Sequence, residues 1–149
     1  MTSQSVQQEQ ALEQGLVKRP KVSLAFLRVV LVVHAALVVM QPIMAGYYLS
    51  GEADAMDWHS PIGSSLWSWS MIQFVVAMLY WRPGGGRLWP ALATVALFFA
   101  EFIQMILGHS QTLSVHVPLG TAIVISVLLF AAWSFRSSAR RGRHPEVAR

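Results

Sequence analysis

A five-residue signature, His-x-Pro-apolar-Gly, occurs twice in the chain. It reads His59-Ser60-Pro61-Ile62-Gly63 and then His116-Val117-Pro118-Leu119-Gly120. Each copy follows a glutamine, Gln41 eighteen residues before His59 and Gln104 twelve residues before His116. A neutral imidazole offers a nitrogen lone pair to a metal. Two histidines at equivalent positions that face each other would share one ligand, which makes His59 and His116 candidate metal ligands, with Gln41 and Gln104 beside the same ligand. The signature also has a purely local reading. Proline is tolerated in the first turn of a helix, a histidine before it can cap that turn, and a glycine lets helices approach closely. The sequence leaves both readings open.

His34 and Glu101 are the second notable pair, each embedded in a long apolar stretch. Insertion of an acid or base at such depth costs about 2.5–3.5 kcal/mol, so these residues are functional candidates. Their similar depths would let them hydrogen-bond if the first and third helices touch, as a neutral pair or as an ion pair. Leu97 aligns with His34 and Val38 with Glu101 in the opposite halves, so a symmetric cofactor does not account for them. One reading makes them interhelical glue, assisted by Gln73; the other makes them a proton path or a quinone contact.

Asp57, His59, His109 and His116 form a further set, since three imidazoles and a carboxylate can hold zinc or copper. Their spacing matches no metal signature. Met40, Met44, Met71 and Met105 suit packing better than copper ligation. The chain has no cysteine, which excludes disulfides, thiolate sites and thioether-linked heme. It also lacks a nucleophile–base arrangement and the paired carboxylates of a hydrolase. Gly84, Gly85 and Gly86 follow no strand, so they read as a tight turn rather than a phosphate loop. With no catalytic constellation, the sequence leans away from an enzyme.

The elements that must position these residues are membrane spans. Only 12% of the 149 residues are charged, against about 25% in soluble domains. A span needs roughly 20 apolar residues, and residues 24–48, 62–81, 88–107 and 117–135 qualify. The first is too long for a signal-peptide core and follows a polar segment, so it is expected to stay in the protein. All eleven Lys and Arg residues fall on one side: before or at the start of the first span, in the turn at 82–87, and after the last span. The opposite loops carry Glu52, Asp54 and Asp57. The positive-inside rule then puts both termini in the cytoplasm of a multi-pass plasma-membrane protein. Tyr80, Trp81, Trp89 and Trp133 at one end, and Tyr47, Tyr48 and Trp58 at the other, form aromatic belts. The basic tail reads as an orientation signal on anionic lipid rather than a nucleic-acid site. Three segments result: a mobile cytoplasmic tail at 1–21, a transmembrane domain at 22–136 and a basic cytoplasmic tail at 137–149.

The sequence thus predicts an all-α polytopic membrane protein, a four-transmembrane-helix bundle built from two repeated helical hairpins. The hairpins would be related by a pseudo-two-fold axis along the membrane normal. This layout resembles half of the heme A synthase fold, through Gln41 with Gly46 before His59 and Gln104 with Gly108 before His116. It is similar, too, to bacterial four-helix membrane proteins with the same Gln, Gly and His-x-x-x-Gly spacing. The resemblance covers residues 24–135 and implies axial ligation of a heme by His59 and His116. The chain has one half where the family has two, Ser60 where the family carries arginine, and no outer cysteine pair. These departures bear on oxidation of a heme methyl group more than on heme binding. Histidine ligation without cysteine implies heme b, in electron transfer or heme handling. The alternative is a non-enzymatic interaction protein of an envelope or cell-division assembly, binding other membrane proteins or further copies of itself within the bilayer.

Overall fold

A computed structural model describes residues 4, 5, 7 and 20–141. Residues 1–3, 6, 8–19 and 142–149, which make up most of the two expected tails, lie outside the described residues. Four long helices dominate: α1 (Lys21–Leu49), α2 (Met56–Trp81), α3 (Trp89–His109) and α4 (Leu113–Ser134). A 3-10 turn, Ala53–Ala55, precedes α2, and a one-turn helix α5 (Ser137–Arg140) follows α4. The fold is an all-α four-helix bundle, and all four helices are long and apolar enough to cross a membrane. With no water in the hydrocarbon core, a spanning segment must satisfy its backbone internally, which a helix does. At about 1.5 Å per residue, the 29 residues of α1 run roughly 44 Å, longer than a hydrocarbon core of about 30 Å.

The helices run up and down in sequence order. α1 packs on α2 and α4, α3 packs on α2 and α4, and helices on the diagonals meet only through side chains. Leu27, Leu31, Val38, Ala77, Tyr80 and Val127 fill the interior. Large apolar side chains such as Phe26, Val29, Leu92 and Leu129 point outward, the surface that lipid would cover. Tyr80 donates a hydrogen bond to the carbonyl of Ala139 (3.0 Å), which pins α5 beneath the bundle. Arg28 Nε closes the same end by donating to the carbonyl of Ser134 (2.9 Å).

Two helix starts differ from the sequence expectation. α2 begins at Met56 rather than at residue 62, and α4 at Leu113 rather than 117. Each motif proline is therefore the sixth residue of its helix, and neither histidine makes a capping hydrogen bond. Proline removes one hydrogen bond and clashes mainly with the carbonyl four residues before it. Those carbonyls belong to Asp57 and Ser114, exposed residues in the first turn, where solvent can take up the bond that the proline leaves unmade.

α1 and α3 end in the same way, by a Schellman motif. Gly51 donates to the Tyr48 carbonyl and Glu52 to that of Tyr47; Gln111 donates to Gly108 and Thr112 to Leu107. The left-handed position is Gly51 (φ +103°) in the first loop and Gln111 (φ +57°) in the second. The acidic stretch that lengthens the first loop is absorbed by the 3-10 turn. His59 and His116 consequently each become the fourth residue of their helices.

Candidate functional site

His59 and His116 face each other across the α2–α4 diagonal, with ring centroids 6.3 Å apart and planes inclined by 58°. Each ring is held from behind by a neighbouring helix. His59 Nδ1 lies 3.0 Å from the backbone carbonyl of Gln41 on α1, and His116 Nδ1 lies 3.1 Å from that of Gln104 on α3. A carbonyl only accepts, so both Nδ1 atoms carry the hydrogen and donate it. The lone pair of each neutral ring then sits on Nε2. One turn further along, the Gln41 amide lies over Gly63 and the Gln104 amide over Gly120. A Cβ at those glycines would come within 2.9 and 2.6 Å of the amide atoms. Gln104 Nε2 donates to the carbonyl of His116 at 2.8 Å. Gln41 Nε2 and Gln104 Oε1 are buried without a partner.

These residues line one cavity of about 510 Å³. Its mouth includes Tyr48, His109 and Gln111, and its apolar walls include Val38, Leu66, Met105, Ile123 and Val124. Glu101 also lines it, although that residue is only 2% exposed.

Beyond Glu101 the bundle centre holds a chain of polar side chains. Thr94 Oγ1 donates to the carbonyl of Pro90 (2.8 Å) and accepts from Gln73 Nε2 (3.1 Å). Gln73 therefore presents Oε1 to His34 Nδ1 at 2.8 Å, which makes Nδ1 the donor. His34 Nε2 lies 2.8 Å from Glu101 Oε1 across the α1–α3 diagonal, and neither atom has a further partner. Ser70 Oγ donates to Glu101 Oε2 at 2.7 Å. One proton must lie between Nε2 and Oε1, on either atom, and in both cases the pair has no net charge. That neutrality is what makes two ionisable groups tolerable in an apolar interior.

The structure thus joins His59 with His116, and His34 with Glu101, and places Gln41 and Gln104 behind the first pair. It does not assemble the set Asp57, His59, His109 and His116. Asp57 is exposed, His109 turns its Nδ1 back to the Met105 carbonyl (2.9 Å), and no three metal-ligating side chains cluster among the described residues. Sequence reasoning assigned Gln73 only a supporting role and did not place Ser70 or Thr94 in the site. A signal was present: Thr94 lies seven residues before Glu101, two turns along one face. The carbonyl acceptors of the histidines left no trace in side-chain identity. Compared with known proteins, the chain matches no family model, and neither a curated protein nor a solved structure aligns with it.

Proposed function

We propose that this integral membrane protein holds a b-type heme between His59 and His116 and serves in electron transfer or heme handling. One observation carries the reading: two imidazoles, each with Nδ1–H fixed by a carbonyl so that the lone pair falls on Nε2, line one shared cavity. Hydrogen bonds of that kind set the tautomer and ring orientation of metal-binding histidines and raise their basicity. If both rings held one metal at the usual bond length of about 2.0–2.1 Å, with roughly 1.1 Å from nitrogen to ring centre, their centroids would lie at most roughly 6.2–6.4 Å apart. The observed 6.3 Å lies at that limit. The cavity volume of about 510 Å³ also lies within the roughly 300–1,000 Å³ typical of cofactor pockets.

In this reading His59 and His116 bind the iron. The carbonyls of Gln41 and Gln104 aim the rings, and the unpartnered Gln41 Nε2 and Gln104 Oε1 would be free to make polar contacts with the bound group. Val38, Leu66, Ile123 and Val124, apolar residues of the cavity wall, would shield it from water. A bound heme would supply a one-electron redox couple, held without covalent attachment because the chain has no cysteine. The likeness to half of a heme A synthase points the same way. The positive-inside pattern supports placing the cavity mouth on the outer face of the plasma membrane and the arginine-rich end in the cytoplasm.

The test is an absorption spectrum of detergent-purified protein, oxidised and then reduced with dithionite. A Soret band and sharp reduced bands, both lost in His59→Ala and His116→Ala, are expected. A featureless spectrum after expression with ample heme would sink the reading and leave the interaction protein as the better account.

A further inference from the structure

We infer that the His34–Glu101 pair is a proton-loading site, filled only through the histidine cavity, that balances the charge of an electron arriving at the His59–His116 site. The inference rests on the heme reading above. Three observations support it: the state of the pair, its open side and its closed side.

With one proton on the Nε2–Oε1 line the pair is neutral. A heme held by His59 and His116 would take up one electron from an external one-electron donor, which would add one negative charge to a low-dielectric interior. A proton entering from solution gives an imidazolium beside a carboxylic acid, so the pair gains one positive charge and the interior none. The second proton sits on Oε2, where Ser70 Oγ, now a donor to that atom at 2.7 Å, turns to accept, as a hydroxyl can. On reoxidation the electron returns to an external acceptor and the proton leaves as it came.

The open side is the cavity, since Glu101 lines it together with Tyr48 and His109 at the mouth. The closed side is the Gln73 amide. It accepts from His34 Nδ1 and passes a hydrogen bond to Thr94, which ends on the Pro90 carbonyl. A carboxamide neither yields nor gains a proton in the accessible pH range, so this chain orients the imidazole without conducting. Leu27, Leu31, Tyr80 and Val127, all fully buried, fill the bundle beyond it. The other titratable groups facing the cavity are Tyr48 on α1, His59 on α2, and His109 and His116 on α3 and α4. Toward the arginine end, Arg28 is held by the Ser134 carbonyl.

Spectroelectrochemical titration of the heme-loaded protein across pH tests the inference. The wild-type midpoint should fall with rising pH, approaching a tenfold change in equilibrium constant per pH unit, or about 59 mV for a one-electron couple. Glu101→Gln should flatten that slope while keeping the oxidised and reduced spectra, and His109→Gln should leave it intact. A flat wild-type profile, an unchanged slope in Glu101→Gln, or a slope lost in His109→Gln would overturn the inference while the heme site stands. Absence of heme bands would instead remove the heme reading, and this inference with it. A second arm needs no variant. In wild-type proteoliposomes of known orientation, with membrane-permeant mediators, the midpoint should follow pH on the histidine side alone. Dependence on the arginine side would refute the proposed sidedness.

Discussion

Gly46 and Gly108 occupy matching places in the sequence, each a few residues after its glutamine, yet the structure gives them opposite roles. A Cβ on Gly108 would lie 2.9 Å from Cε1 and 3.2 Å from Nδ1 of His116, whereas a Cβ on Gly46 would meet nothing within 4 Å. In Gly108→Ala the imidazole must retreat by roughly half an ångström to reach ordinary van der Waals contact. That retreat threatens the bond from Nδ1 to the Gln104 carbonyl, already 3.1 Å long, because such bonds fade beyond about 3.5 Å. Losing it costs about 0.5–1.5 kcal/mol, and alanine returns at most about 0.5–1 kcal/mol over glycine within a helix. Stability should therefore change by no more than about 1 kcal/mol. The site should suffer far more, because the bond that orients a metal ligand is worth about 10–100-fold in affinity. Gly46→Ala should gain about 0.5–1 kcal/mol and leave the site intact. Heme titration of both variants, beside thermal unfolding in the same detergent, measures the contrast. Equal heme affinity in the two variants would refute the placement of Gly108 against His116.

Glu101→Leu leaves His34 Nε2 and the Ser70 hydroxyl buried without their partners, at about 1–3 kcal/mol each, and His34→Leu added to it should restore part of that loss. A double-mutant cycle in reversible bicelle unfolding would read a coupling of at least about 1 kcal/mol, and additivity would argue against the contact. Gln111 holds a left-handed conformation that costs an ordinary residue about 1–2 kcal/mol. Gln111→Gly should accordingly raise the stability by up to about 1 kcal/mol, net of the extra chain entropy of glycine, and a fall in the unfolding midpoint would contradict that geometry. A cysteine introduced at Glu52 should react with an impermeant maleimide from outside intact cells and one at Gly85 should not, and the reverse pattern would invert the proposed orientation.

The number of helices, the turns between them and the side on which the bases collect follow from the sequence, because a bilayer demands long uncharged stretches and penalises every exception. For the same reason His34 and Glu101 stand out by residue type and position alone. Helix starts were less legible. A proline signals where a helix is permitted to begin, but whether the preceding turn also winds depends on loop length and on contacts with other helices. So α2 and α4 begin several residues ahead of Pro61 and Pro118.

Other features were decided only when the four helices packed. The sequence places His59 and His116 at matching depths, but their separation follows from how far α2 and α4 stand apart across the bundle. Their tautomers are set by the carbonyls of Gln41 and Gln104, groups that every residue carries and that no sequence pattern marks. The contact of His34 with Glu101 likewise needs a diagonal approach, and the Gln73–Thr94 link that orients His34 needs a third helix, α2, at the same level. Composition tells the chain where to cross the membrane because transfer free energy is summed locally, residue by residue. Which polar groups then meet is a property of packing, since each must find its partner on another helix once water is gone.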